Sequence, residues 1–501
     1  MPYAAIAQLY DGTTQYITYD QTDENRLDRD LIDTGATNVT IGSKVCYLYA
    51  SSGNSMPYLS SFNLGTGCPL AIGSGALVGI PGVINTGERV NQISRGLVYD
   101  SSNITIGSGC GMVRGGNRAS NSASTITILG NGYTKVHGGI WANSITVQNG
   151  VLELSIGTKY GSSQILTNNV NIPSSVKSLR FDDSRDLLSG GSGLQAIKTG
   201  GSLGFSTRTT TLGNPAFIGY DTYANCNISS PNLSNALVIE EFAFTSSFRG
   251  TGKVQSVSFG NNTVMVGDYA FANNTGLTRV NCNALYVFPY AFNDCSGITE
   301  ATFDVSDRTN RGSFISHDVL WAEYKYPNYP ALKRVTIKGY ENVGDILHQV
   351  SQDGFNMTII GNGYTRVGHT PTDDEYGWYV IIPYGTRSVT IGSGVTEVRF
   401  SVSEIAGNPD KGYATSIDIG EDVKIINFGY MPGSASSSDR PCTADTVTIR
   451  AINPPTVAKA SSVIDEGIYY FGYVGSIKVP AASLNAYKTA WSGIADKITS
   501  I

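Results

Sequence analysis

The sequence predicts a mainly β chain whose short strands stack into a solenoid, with a β-rich N-terminal region and a short helical cap at the C-terminus. Three observations predict this. The composition favours strands and turns, short apolar segments recur at a near-fixed period, and helix-like patterns are confined to two brief stretches.

Of the 501 residues, 41% are hydrophobic and only 15% charged, against roughly 25% charged in an ordinary soluble domain. Glycine (58) and tyrosine (29), together with Ser, Thr and Asn, fill the difference. Gly and Asn suit tight turns, while Thr, Val, Ile and Tyr suit pleated strands. The net charge of -6 speaks against a broad phosphate-binding surface, so nucleic acid is not an expected partner. No stretch reaches the roughly 18 uninterrupted apolar residues of a membrane-spanning helix, and membrane insertion is not expected. The seven cysteines (46, 68, 110, 226, 282, 295 and 442) are odd in number and irregularly spaced, without a CxxC pair. They are expected to be reduced, buried thiols.

Repeats carry the strongest signal. LVIEEFAFTSSFRGTGKVQSVSF (237–259), VMVGDYAFANNTGLTRVNC (264–282) and LYVFPYAFNDCSGITEATF (285–303) align on Ala-Phe pairs at 243–244, 270–271 and 291–292. The spacings of 27 and 21 residues lie in the range of leucine-rich repeats. A shorter triplet, apolar-x-x-apolar-x-apolar, recurs at Val176/Leu179/Phe181, Val254/Val257/Phe259, Leu277/Val280/Cys282, Ile298/Ala301/Phe303, Leu332/Val335/Ile337, Val395/Val398/Phe400 and Val423/Ile426/Phe428. Its last two members stand two apart and so point to one face of a strand. ILGNGYTKV (128–136) returns as IIGNGYTRV (359–367), and TIGS phrases follow Val39, Ile104 and Val389. Apolar residues three or four apart predict helices only over 23–32 and 483–498.

These repeats and the ending VTIRAINPPTV (447–457) with IKVPAASLNAYKTAWSGIADKITSI (477–501) resemble the BspA-like leucine-rich repeats, convincingly from about residue 165 onward. The resemblance implies a right-handed solenoid used for adhesion or host interaction. Residues 1–120 match the family poorly, and the chain is expected to divide into an N-terminal attachment or oligomerisation region (1–120), a solenoid with degenerate repeats and insertions (121–450) and a cap (451–501). Stacked repeats share one core, which is expected to hold Phe244, Phe271 and Phe292 as an internal ladder, with Leu277, Val280, Cys282, Ile298 and Phe303. The outward positions Gln255, Ser258, Arg279, Asn281, Glu300, Thr302, Arg334 and Thr336 then form the expected binding face.

No catalytic chemistry stands out. The histidines (137, 317, 348, 369) form no HExxH, no GxSxG elbow precedes a helix, and no phosphate loop is present. The acidic clusters at 182–186 and 373–375 lack a calcium-loop pattern. No enzyme, metal or cofactor is expected, and GSGCGMVRGGN (107–117) reads as a turn-rich loop. The first twenty residues contain no Lys or Arg and do not read as a secretory signal. Since the resembling family also occurs in phages, the chain is expected to be a virion protein assembled in the host cytoplasm. It would be a head or tail fibre or appendage, a homo-oligomer such as a trimer, joined to other virion proteins through 1–120 and contacting a host surface glycan or protein. The alternatives are a bacterial cell-surface adhesin and a glycan-degrading virion spike.

Overall fold

The computed structural model describes residues 2–22, 25–77, 80, 82–94, 98–99, 101–114, 117–119, 125–137, 140–142, 144–156, 170–181, 188–199, 213–226, 228–246, 253–308, 312–316, 319–320, 329–343, 355–367, 380–382, 386–402, 414–428, 444–457 and 474–501. It divides into two compact units, Met1–Asn227 and Ile228–Ile501.

The first unit opens with a hairpin. Tyr3–Leu9 pairs antiparallel with Thr14–Thr18 and with Ala36–Ile41. The backbone N–H and hydroxyl of Thr13 both donate to Asp11 Oδ1, at 2.9 and 2.6 Å, and close the turn. Every later pairing described in the unit is parallel. One ladder contains Gly82–Asn85, Ser101–Ile106, Thr125–Ile128 and Ser144–Val147. The other runs through Arg26–Asp28, Tyr47–Tyr49, Leu70–Ile72, Val90–Ser94, Met112–Arg114, Thr134–Val136, Val151–Ile156, Ser178–Phe181, Ala196–Thr199 and Phe217–Ile218. The chain alternates between them: Thr125–Ile128, Thr134–Val136, Ser144–Val147 and Val151–Ile156 visit them in turn. Parallel strands need a crossover, and here a strand of the opposite ladder supplies it. Alternation does the rest: Ile104, Ile106, Ile126, Ile128 and Ile145 are buried between the ladders, while Thr105, Thr127 and Thr146 face outward.

The helix expected over 23–32 does not form. Arg26–Asp28 is a strand and Arg29–Leu31 a single 3-10 turn capped by Asp28. Leu27 is fully buried in the ladder, in register with Leu48, and Leu31 is exposed. The spacing that suggested a helical face is a strand residue and a turn residue. Buried Arg29 donates to Asn54 O at 2.6 Å and lies 3.7 Å from Asp30.

The second unit contains an eleven-stranded sheet, parallel throughout. Its order is Asn232–Leu233, Ser256–Phe259, Arg279–Cys282, Glu300–Asp304, Arg334–Lys338, Asn356–Ile360, Ser388–Ile391, Ala414–Ile419, Ala444–Ile449, Ser476–Val479 and Ile498–Ser500. A ladder of shorter strands includes Val238–Ile239, Met265–Val266, Tyr286–Val287, Phe314–Ile315, Asn342–Val343, Thr365–Val367, Val395–Val402, Ile425–Phe428 and Thr456–Val457. The Phe271 ring stacks on Phe244 (centroids 5.0 Å apart, 2° between planes) and on Phe292 (5.4 Å, 8°). Phe259 meets Phe271 edge-on at 5.7 Å. Leu277, Val280, Cys282, Ile298 and Phe303 are buried with the three rings. Each buried Phe or Leu contributes roughly 1.5–3 kcal/mol relative to exposure.

The corners are held by polar side chains that the core encloses. Buried Asn274 accepts from the Val254 N–H at 3.1 Å and donates to Phe244 O (2.9 Å) and Phe271 O (2.7 Å), tying successive coils. The residue before each Ala-Phe pair adopts a left-handed backbone: Phe242, Tyr269 and Tyr290 have φ of 56, 51 and 58°. That conformation costs roughly 1–2 kcal/mol in a non-glycine residue. Stacking offsets part of it, with rings 5.2 Å apart for 242–269 and 4.9 Å for 269–290.

At the C-terminus the expected helix is present as Leu484–Ala490, flanked by 3-10 turns at Ala481–Ser483 and Ser492–Lys497. Tyr487, Trp491 and Ile494 turn inward, and Tyr487 OH donates to Ala451 O at 2.8 Å. Ile498–Ser500 then adds the last strand of the sheet. This is a cap of the expected kind.

The cysteines divide. Cys110, Cys226, Cys282 and Cys295 are buried as expected, and burial pushes the Cys110 thiol up to about 11 and that of Cys282 to about 12. Such thiols are inert. Cys46 is exposed and Cys68 half-exposed, with Sγ atoms 2.7 Å apart, so the expectation of buried, unrelated thiols fails for these two. They flank neighbouring strands of one ladder, Tyr47–Tyr49 and Leu70–Ile72, and their separation of 22 residues is one coil. Cys442 lies outside the described residues. Treatment with oxidised glutathione is expected to join Cys46 to Cys68, with release of two reduced glutathiones. Thiol titration of the denatured chain should then show two fewer than the seven cysteines of the sequence. The cross-link should add about 3 kcal/mol to the stability of the first unit. A full count of seven would refute the pairing.

Candidate binding surface

The eleven-stranded sheet turns alternate side chains outward, and its parallel register sets them in rows. One row contains Ser256, Arg279, Glu300, Arg334, Asn356 and Ser388, and the next contains Ser258, Asn281, Thr302, Thr336, Thr358 and Thr390. Neighbouring strands lie roughly 4.8 Å apart, so each row repeats a polar group at that interval. Seven of the eight expected face residues occupy these rows (Ser258, Arg279, Asn281, Glu300, Thr302, Arg334 and Thr336), all exposed or half-exposed. Gln255 stands just before its strand, with its N–H on Ser229 O at 2.8 Å. It borders the rows without belonging to either.

Charge alternates along the first row. Arg279 Nη2 lies 3.1 Å from Glu300 Oε2, and Arg334 follows on the next strand. Both members of that ion pair are well exposed, so it contributes little to stability and stays open to a ligand. Further along, Arg450 grips Asp418 with two hydrogen bonds of 2.8 and 2.6 Å, and this contact raises the pKa of the Arg450 guanidinium. Asp304 is partly desolvated, which opposes ionisation. Hydrogen bonds from Ser306 and Lys338 outweigh that and leave its pKa below the usual value. The first unit has a comparable row of its own: Asn85, Thr105, Thr127 and Thr146 stand in register.

Two surface features escaped the reading of the sequence. On the short-strand ladder, Val238, Met265, Tyr286 and Phe314 pair successively and face outward, half-exposed or exposed. They form an apolar stripe, and for the first three the signal is the apolar residue five positions before the Ala of each Ala-Phe corner. The second feature is a pair of exposed tyrosines, Tyr133 and Tyr364, in the two GNGYT phrases.

Among the described residues no three His, Cys, Asp or Glu side chains are grouped to hold a metal, and no helix is long and apolar enough to cross a membrane. His317, Asp318, His348, His369 and the acidic clusters at 182–186 and 373–375 lie outside the described residues. His137 Nε2 is 2.7 Å from Glu153 Oε2.

Residues 216–318 match the family model described as a BspA type leucine rich repeat region, in 6 copies. No curated protein matches the sequence. Among solved structures, a leucine-rich repeat protein from Bacteroides ovatus is similar at 13% identity, over 96% of each chain, with a TM-score of 0.33. A leucine rich cell surface protein from Faecalibacterium prausnitzii is similar at 10% identity, over 69% of this chain and 90% of that one, with a TM-score of 0.20. The stacked parallel ladders, the phenylalanine stack and the family match agree over one stretch: residues 216–318 are BspA-type leucine-rich repeats within a β-solenoid of parallel ladders.

Proposed function

We propose that this chain is a non-enzymatic binding scaffold that engages a host surface glycan or protein through the polar rows of its long sheet. The in-register rows from Ser256 to Ser388 and from Ser258 to Thr390 support the reading. Extended arrays of this kind suit large partners, because many weak polar contacts add along one polymer. We place the protein on a phage particle, as a head or tail fibre or appendage. The N-terminal hairpin region would join it to other virion proteins and to further copies of itself. Exposed Tyr10, Tyr16 and Tyr58 support that role, Tyr10 and Tyr58 being stacked with centroids 5.1 Å apart. Tyrosines are favoured at interfaces because they bury large area at low entropic cost.

The test combines binding and location. Full-length protein is applied to fixed cells of gut bacteria, beside the double variant Arg279→Glu/Arg334→Glu. The variant is expected to bind at least about tenfold more weakly, since reversing both arginines replaces the alternation of charge around Glu300 by three like charges and breaks its complementarity to a partner. Unchanged binding would overturn the assignment of the face. Immunogold labelling should decorate phage particles in a lysate, and labelling confined to the bacterial envelope would favour a cell-surface adhesin. Release of oligosaccharides from the bound polysaccharide would replace the non-enzymatic reading with a glycan-degrading spike.

A further inference from the structure

The two GNGYT phrases build the same corner twice, once in each unit. In both, the backbone N–H of the tyrosine donates to the side chain of the preceding asparagine at 2.9 Å (Tyr133 on Asn131, Tyr364 on Asn362). The asparagine N–H in turn donates to the threonine that follows the tyrosine, at 3.1 Å for Thr134 and 3.0 Å for Thr365. Each threonine is fully buried, and its hydroxyl bonds a carbonyl of the preceding coil, Cys110 O at 2.9 Å or Tyr340 O at 2.6 Å. Gly132 and Gly363 have φ of 91 and 93°. A Cβ on Gly130 or Gly361 would come within 2.2 or 2.1 Å of the neighbouring backbone.

These corners are also longer than the next. Five residues, 129–133, separate Ile128 from Thr134, whereas three separate their register partners Val147 and Val151. The same counts hold between Ile359 and Thr365 and between Ile391 and Val395. At the end of each enlarged corner stands a tyrosine, 77% exposed at 133 and 79% at 364. One residue beyond the buried threonine follows a cation, and its in-register partner on the next strand is a glutamate: Lys135 with Glu153 (2.6 Å) and Arg366 with Glu397 (3.6 Å).

Packing explains the repeated glycines, asparagine, threonine and valine. It does not explain an exposed aromatic ring that occurs twice, each time two residues before the cation of a cross-strand ion pair. We propose that each GNGYT corner is a saccharide subsite, in which the apolar face of a sugar ring lies on the tyrosine and its hydroxyls bond the cation two residues on and, at the first corner, the half-exposed Glu153, Glu397 being buried. The footprint favours a sugar over a protein. A protein anchor works inside a broad desolvated patch, whereas here a single exposed ring stands in a stretch of Gly, Asn and Thr, and one aromatic ring offers a face for one sugar ring. At the first corner Glu153 is held below the ordinary carboxylate range by hydrogen bonds from Lys135 and then His137, so it is a full acceptor at neutral pH. The inference deepens the reading of the chain as a surface binder and rests on it, but uses sites separate from the sheet rows.

The experiment is saturation-transfer NMR of the full chain with D-galactose, D-mannose, N-acetyl-D-glucosamine and L-fucose. Transfer to at least one sugar is expected. Tyr133→Ala and Tyr364→Ala should each lower it by about half, the two sites being independent, and together remove it. Tyr→Phe at both positions should retain it, and the thermal melt should not move, because both side chains are solvent-exposed. Transfer to none of the four, or transfer that survives the double alanine variant, would overturn the proposal. So would loss of cell binding in the double variant without transfer to any sugar, which assigns the corners to a protein partner. The two readings separate cleanly: corner-dependent transfer in a chain that binds no cell sinks the sheet rows alone, and row-dependent cell binding without sugar transfer sinks the corners alone.

Discussion

Phe271→Ala is expected to destabilise the Ile228–Ile501 unit by about 3–5 kcal/mol, the range for emptying a buried aromatic site. The Phe271 ring has no exposure and lies between Phe244 and Phe292, with Phe259 at its edge. Its removal leaves a void bounded by two other coils, and the void cannot collapse without moving both ladders. The loss therefore exceeds the transfer free energy of the ring alone. Urea unfolding of the full chain measures it. Phe288→Ala, at an exposed position of the same repeats, is the control and should cost less than about 0.5 kcal/mol. If Phe271→Ala cost no more than that control, the shared interior of the coils would be wrong.

The second large effect lies in the other unit. Arg89 is buried, and its guanidinium donates to four carbonyl oxygens: Cys68 O at 3.1 Å, Gly42 O at 2.7 Å, Val45 O at 2.6 Å and Leu64 O. The acceptors come from two earlier turns of the chain, so one side chain ties three coils together. Arg89→Met keeps much of the packed stem but leaves four carbonyls without their donor. At about 1–3 kcal/mol for each buried carbonyl left unsatisfied, the four together are expected to cost about 4 kcal/mol or more. Arg89→Lys should recover less than half of this, because a single ammonium cannot span acceptors that a planar fork reaches from several directions. The readout is the thermal melt together with limited proteolysis of residues 1–227. A lysine variant as stable as the parent would show that charge, and not the fork, holds these turns.

The phenylalanine stack was legible in the sequence because the Ala-Phe pairs recur once per coil, and coils of 27 and 21 residues still bring this corner to the same depth. The outward rows were legible because alternation along a strand is local: if Val257, Val280, Ala301 and Val335 are inside, their neighbours are outside. The Cys46–Cys68 contact was present as a separation of one coil length, but it acquires meaning only after the first 120 residues are known to coil. Arg89 gave no signal, since a buried arginine on backbone carbonyls has no partner residue that a pattern could reveal.

The apolar triplets show the limit most clearly. Those at 254–259, 277–282, 298–303 and 332–337 feed the eleven-stranded sheet, whereas Val395/Val398 and Val423/Ile426 feed the other ladder of the second unit and Val176/Leu179 feeds a ladder of the first. The sequence by itself determined that strands would alternate, that coils would repeat every 20-odd residues, and that a helix would close the end. Only the tertiary structure decided which ladder each strand joins, and hence which outward residues share a face. Both ladders bury the same kinds of side chain with the same period of two. The choice between them is set by the lengths of the corners and by the register of every coil stacked before, which no local pattern records.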